Sequence, residues 1–201
     1  TVDGRRAEHI VKVLRSRKGD RLTVGIINGK IGYGIIKEIS RTRPFHVKLR
    51  LSLNRYPSAP PPIDILLALP RPIVFKRVIS QLTALGVNRV YVVNAAKVEK
   101  SYWESSVVTE AGWRSYVREG LEQAVDTRML DFSFNRGFKP FMTSVIPALR
   151  KRYTQMLVAH PHSTTPLIKK FTAAGSQLLV AIGPEGGWNE YELDMLQQHG
   201  F

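Results

Sequence analysis

"IGPEGGWNEYE", residues 182–192, decides the reading of this chain. The run before it, "LLVA" (178–181), is apolar throughout, as in a parallel strand buried on both faces. Gly183, Gly186 and Gly187 then surround Pro184 and Glu185. Glycine tolerates positive φ and lets backbone approach a ligand closely. Asn189 suits an N-cap, and Glu192 three residues on completes a capping box, so a helix is predicted from there. Strand, glycine loop and capped helix together put the loop at the carboxyl edge of an α/β sheet, where ligands bind. The spacing is neither a Walker loop nor the G-x-G-x-x-G of dinucleotide folds. Glu185 disfavours phosphate and suits hydroxyls, amides or a cation. The competing reading is a tight turn with an exposed glutamate.

Working outward, the same alternation recurs. "IDILLAL" (63–69) reads as an apolar strand, and Pro72 opens a helix where a missing N–H costs nothing. Val74, Val78, Leu82 and Leu85 are predicted to line one face of that helix, and Gly86 to end it. "VYVV" (90–93) is the next strand, and a long amphipathic helix is expected within 104–124. A helix near 144–152, the strand "QMLVA" (155–159) and the helix "TPLIKKFTAA" (165–174) follow. Apolar strands alternating with helices mean a parallel sheet covered on both faces.

Four prolines fall between Pro57 and Pro62. Such a stretch cannot lie inside a sheet or helix. It divides the chain into residues 1–56, a linker at 57–62, and 63–201. Before it the pattern is β. Asn28-Gly29 is a hairpin signal between two strand-like runs. "FHVKLRLSL" (45–53) puts Phe45, Val47, Leu49, Leu51 and Leu53 on one face. "AEHIVKVLRS" (7–16) reads as a short helix plugging a small β-barrel.

Charge follows the same division. Residues 1–60 hold 14 Lys/Arg against 4 Asp/Glu, and residues 61–201 hold 16 against 12. A polyanion partner fits a basic segment of this kind. Candidates for phosphate contact are Arg5, Arg6, Lys12, Arg15, Arg17, Lys18 and Arg21. No cysteine is present, which excludes disulfides and thiolate metal sites and is compatible with a reducing cytoplasm. No apolar run reaches the roughly 20 residues of a membrane span, and no secretory leader is visible. Among five histidines only His160 and His162 stand close together, a weak metal signal, so no metal is expected.

"GPEGGWNEYEL" followed by "HGF" resembles the signature of the ribosomal RNA small-subunit methyltransferase E family of the SPOUT superfamily. "HIVKVLRSRKGDRLTVG" (9–25) is similar to that family's PUA-like barrel. "LALPRP" (67–72), "LTALGV" (82–87) and "GLEQAV" (120–125) match further motifs in order. The resemblance implies methylation of a uridine N3 in small-subunit (16S) ribosomal RNA with S-adenosylmethionine. It also implies a homodimer and an α/β domain with a C-terminal trefoil knot. Ile182, Gly183, Pro184, Glu185, Gly186 and Gly187 would form one cofactor loop, and His160 with Pro161 another. Glu185, Glu122 and Arg128 are the catalytic candidates it leaves, with no general base assigned.

The chain also departs from the family. Ala84 stands where a glutamate is usual, and Asp126 where an arginine is common. The family pattern continues past Phe201 with a further cofactor loop and a final helix, and starts a few residues earlier. The resemblance therefore implies an incomplete knot here and weak cofactor binding by these 201 residues alone. The departures leave a second reading open, a non-catalytic RNA-binding protein that keeps the fold.

Overall fold

A computed structural model describes residues 1–161 and 176–201. The helix predicted over 165–174 and His162 lie outside them. The chain forms two units. One is Thr1–Ser58 together with Val125–Arg128, and the other is Ala59–Ala124 with Met129–Phe201.

The first unit is a four-stranded antiparallel sheet in the order β1-β4-β3-β2, from β1 (Val2–Asp3), β2 (Arg21–Gly25), β3 (Ile31–Ile39) and β4 (His46–Arg55). It curls as a half-barrel, with β1 and β2 as its edges, where the sequence suggested a barrel. Alternation along the strands sends Leu22, Ile36, Val47 and Leu49 inward against α1 (Gly4–Lys12), whose Ala7, Ile10 and Val11 complete the core. The helix starts and stops earlier than its apolar pattern indicates. Arg15 takes φ 50°, outside helical space, and Val13 and Leu14 are exposed. In the hairpin loop Asn28 takes the left-handed conformation (φ 57°); Gly29 does not.

Residues 125–128 complete this unit. Thr127 donates its hydroxyl to the Gly29 carbonyl (2.7 Å), and its own carbonyl accepts from Asn28 N (2.7 Å). Its methyl group occupies the space a Cβ on Gly25 would need, 2.4 Å away. Asp126 Oδ1 accepts from the backbone of Thr127 and Arg128, and Arg128 Nη2 donates to Oδ2 at 2.6 Å. Burial by itself would raise the Asp126 pKa, but Arg128 and the backbone donors outweigh it and hold the carboxyl below its ordinary range. Val125 carries φ 54°, a left-handed conformation that costs a β-branched residue about 1–2 kcal/mol.

The second unit is a five-stranded parallel sheet in the order β7-β6-β5-β9-β8. Its strands are β5 (Ile63–Ala68), β6 (Arg89–Val93), β7 (Asp131–Asn135), β8 (Gln155–Ala159) and β9 (Leu178–Ile182). The strand β7, "DFSFN", carries no apolar run; its signal is the short alternation of Phe132 and Phe134 with polar residues, which the sequence reading passed over. One face is covered by α2 (Pro72–Ala84) and α3 (Glu110–Ala124), packed closely because a Cβ on Gly120 would meet Ser80 O at 2.6 Å. So the "GLEQAV" motif supplies a helix contact. Pro72 and Gly86 (φ 77°) bound α2 as predicted. Its buried stripe, however, is Phe75, Ile79 and Thr83, one step round from the predicted face, and Leu85 is 70% exposed. The aromatic rings of Phe132 and Phe134 lie edge-on to Phe75 and draw that stripe inward.

The long helix expected within 104–124 begins only at Glu110, after 3-10 turns over Lys100–Glu104 and Ser106–Val108. Trp103 and Trp113 are buried within this unit. The helix expected near 144–152 is part of a longer stretch. It comprises α4 (Phe138–Pro140), a π turn over Phe141–Val145, α5 (Ile146–Leu149) and a 3-10 turn over Arg150–Arg152. Asp64, wholly buried on β5, accepts from Tyr153 OH at 2.7 Å, and Tyr91 OH lies 3.3 Å from Tyr153 OH. Burial, then those two neighbours, push the Tyr153 phenol well above its ordinary pKa.

Candidate functional site

The strand order reverses at β5. The chain leaves it for β6 and β7 on one side, then returns through β8 and β9 on the other. In open parallel sheets the crevice at such a switch point is the ligand site. The glycine loop emerges there, directly after β9. Ala159 pairs with Ile182, so His160–Pro161 and Gly183–Pro184 leave neighbouring strands side by side. The two predicted cofactor segments are thus adjacent.

The loop is a turn closed by Gly187 N donating to Pro184 O (2.8 Å). Gly187 holds the left-handed position, φ 71°. Among the described residues, the backbone N–H groups of Glu185 and Gly186 make no hydrogen bond. They are donors at the carboxyl edge of the sheet. Gly183 packs against the indole of Trp188: a Cβ there would meet three adjacent ring atoms at 3.2–3.3 Å. Trp188 itself is buried, and among the described residues its Nε1 has no partner.

Three long-range ties fix the loop. Glu185 Oε1 accepts from Arg71 N (3.1 Å) at the start of α2, where a carboxylate also meets the positive end of the helix dipole. Lys97 Nζ donates to Gly186 O at 2.6 Å. Glu192, 2% exposed in α6 (Glu190–Gln198), accepts from Ala96 N on one oxygen (2.6 Å) and from Asn189 N on the other (2.9 Å). Asn189 Oδ1 accepts from Glu192 N (2.8 Å), so the predicted capping box is present. The loops after β5, β6 and β9 are bound into one frame. Sequence reading found the capping box but missed Arg71, Lys97 and the second duty of Glu192. Their partners are 89 to 114 residues away, and no local pattern marks them.

The catalytic candidates part company. Glu185 is at the loop and exposed; among the described residues its second oxygen has no hydrogen bond. Glu122 lies in the last turn of α3, which feeds the amino end of β7, opposite the glycine loop. Arg128 belongs to the first unit and is engaged by Asp126. The seven basic candidates all belong to the first unit and all are exposed. Arg5, Arg6 and Lys12 are on α1, Arg15, Arg17 and Lys18 follow it, and Arg21 opens β2. Lys12 is already paired with Glu8 at 2.6 Å.

The chemistry of the loop suits a ligand with carboxylate, hydroxyl or ring-nitrogen acceptors. Open amides face it, glycines leave room, and Ile182, 37% exposed, adds an apolar edge.

Comparison with known proteins finds two family models along the chain. A family model described as an RNA methyltransferase domain matches residues 57–201. One described as an RNA methyltransferase PUA domain matches residues 2–47. The chain is 28% identical to the ribosomal RNA small subunit methyltransferase E of Treponema pallidum, over 96% of this chain and 72% of that protein. It is 26% identical to the protein of the same name from Mycobacterium tuberculosis, over 99% and 75%. Among solved structures, small subunit methyltransferase E of Neisseria gonorrhoeae bound to S-adenosyl methionine superposes with a TM-score of 0.71. That match has 16% identity and covers 100% of this chain and 80% of that one. A putative methyltransferase of Legionella pneumophila with bound SAM gives 0.70 at 19% identity, over 97% and 78%.

Proposed function

The chain belongs to the RNA methyltransferase domain family, and on that premise we propose that it methylates ribosomal RNA with S-adenosylmethionine. The finer reading is N3 of a uridine in the small-subunit (16S) RNA. The observation that carries the cofactor assignment is the glycine loop, fixed from three sides with its amides left open, and the uridine N3 reading rests on the family resemblance. When bound, S-adenosylmethionine supplies a methyl group on a sulfonium sulfur. The amides of Glu185 and Gly186 would hold its acceptor groups, with His160 and Pro161 beside them on the neighbouring strand end. The buried indole N–H of Trp188 is a further unmatched donor next to the loop.

Uridine N3 must lose its proton before its lone pair can attack. With a pKa roughly 2 units above neutrality, that costs about 2.7 kcal/mol. Glu185 is the candidate base. One of its oxygens accepts from Arg71 N, which would leave the other to take the proton. The rest of catalysis is alignment of N3 with the methyl group, which a rigid frame favours. Glu122 and Arg128 would then serve positioning or folding.

The reading includes a homodimer, a C-terminal trefoil knot and a cytoplasmic location, all carried by the family resemblance. Among the described residues, no helix is long and apolar enough to cross a membrane. The test is to incubate the protein with methyl-labelled cofactor and small ribosomal subunits, then map the label by mass spectrometry. Label at a uridine N3, lost in Glu185→Gln, is expected. Label on another base contradicts the finer reading, and an unimpaired Glu185→Gln contradicts the role of Glu185 as base.

A further inference from the structure

The outer face of the half-barrel carries a feature that a general basic surface does not need. Cross-strand register places Thr23, Tyr33 and Ser52 in one row, and Arg21, Ile35 and Arg50 in the next. Paired residues in a sheet share a face. Alternation sends Leu22, Ile36 and Leu49 to the core, so these two rows look outward. Thr23, Ser52, Arg21 and Arg50 are exposed, and Tyr33 is half-buried at the middle of the central strand.

The Arg21 guanidinium lies 3.6 Å from the centroid of the Tyr33 ring, flat-stacking distance. Four other basic groups of this unit are engaged internally: Lys12 and Arg43 on Glu8, Lys48 on Glu38, Arg41 on Ser16 O. The side chains of Arg21 and Arg50 have no ion pair or hydrogen bond among the described residues. A guanidinium held by a ring from beneath has surrendered its rotamer freedom before any ligand arrives. Its outer face is a planar, charged surface open to solvent, with a second free arginine and two hydroxyls alongside.

We propose that this face binds an unpaired nucleotide of RNA, its base stacked on Arg21 over Tyr33, with Arg50 on a flanking phosphate. Bases stack on guanidinium planes and aromatic rings, and only unpaired bases present a free face to do so. The inference rests on the RNA-directed reading above and adds the form of RNA that the first unit takes.

The test is fluorescence anisotropy with a short labelled single-stranded RNA and with the same strand annealed to its complement, using the full chain. Arg21→Lys keeps the charge and loses the plane. It should weaken single-strand binding about tenfold, leave the salt slope as in the parent, and spare the duplex. Tyr33→Leu keeps an apolar side chain at a half-buried position and should do the same. Tyr33→Phe should bind like the parent, and it serves as the control should the leucine variant melt early. Parent-like binding by Arg21→Lys, or an equal loss on both RNAs, overturns the proposal in favour of simple charge contact. A parent protein that binds neither RNA overturns the RNA reading itself.

Discussion

Two short loops, 183–188 in the second unit and 125–128 in the first, are built from the same parts and differ in what they leave over. Each has one residue in the left-handed region, Gly187 at φ 71° and Val125 at φ 54°. Each leans on a carboxylate that accepts backbone N–H groups, Glu192 or Glu185 in one and Asp126 in the other. In the glycine loop those carboxylates bind neighbouring segments and leave the loop's own amides open. In the other, Asp126 consumes its own loop's amides and the Arg128 side chain besides. The first is a rigid frame with donors to spare. The second is closed on itself and serves to hold the hairpin at Gly25–Gly29. The two loops are equally fixed and differ in unspent hydrogen-bonding capacity, which is the property the proposed cofactor role requires.

The largest effect expected from breaking this contrast is at Glu192. Glu192→Ala leaves two backbone donors unpaired in a buried place and should cost about 3 kcal/mol, read by urea unfolding. A loss below about 0.5 kcal/mol, within the range of ordinary surface changes, would mean the frame is not held there.

Next comes Asp126→Ala, predicted to destabilise by about 1–2 kcal/mol at neutral pH. Because the folded-state pKa of Asp126 is lowered, its contribution is full above the unfolded value near 3.9 and is lost as pH falls through the folded value. The gap between parent and variant should close in acid. A gap independent of pH would show that the carboxylate charge is not what stabilises the loop.

The smallest effect is at Val125. Val125→Gly should relieve left-handed strain and stabilise by roughly 0.5–1 kcal/mol net of the added chain entropy, measured as a rise in Tm. A fall in Tm would show that the valine side chain contributes more by packing than it costs in strain.

Much of this was legible in the sequence because it is local. The Asn189–Glu192 box, the Pro72 start and the Gly86 stop are each decided within a few residues. The apolar strands β5, β6 and β9 announced a parallel sheet for the same reason. What stayed hidden is non-local or chemically unmarked. Lys97 reads as an ordinary exposed lysine until Gly186 O is folded against it. Phe75 turns inward only because Phe132 and Phe134 wait on a strand that lacks an apolar run. Sequence reading credited Gly183, Gly186 and Gly187 alike with tolerance of positive φ. The left-handed residue is Gly187, and a Cβ on Gly186 would meet only the flexible Lys97 side chain, at 2.9 Å.

Gly187 is therefore the position at which to test whether residues 183–187 hold the cofactor through their backbone. S-adenosylmethionine is titrated calorimetrically into the full-length protein and into Gly187→Val, with unfolding curves for both. The valine should cost about 1–2 kcal/mol of strain and, by turning the amides of Glu185 and Gly186 out of line, reduce affinity at least tenfold while the fold persists. Parent-like affinity in a folded Gly187→Val protein would contradict the account and leave the glycine loop as a turn.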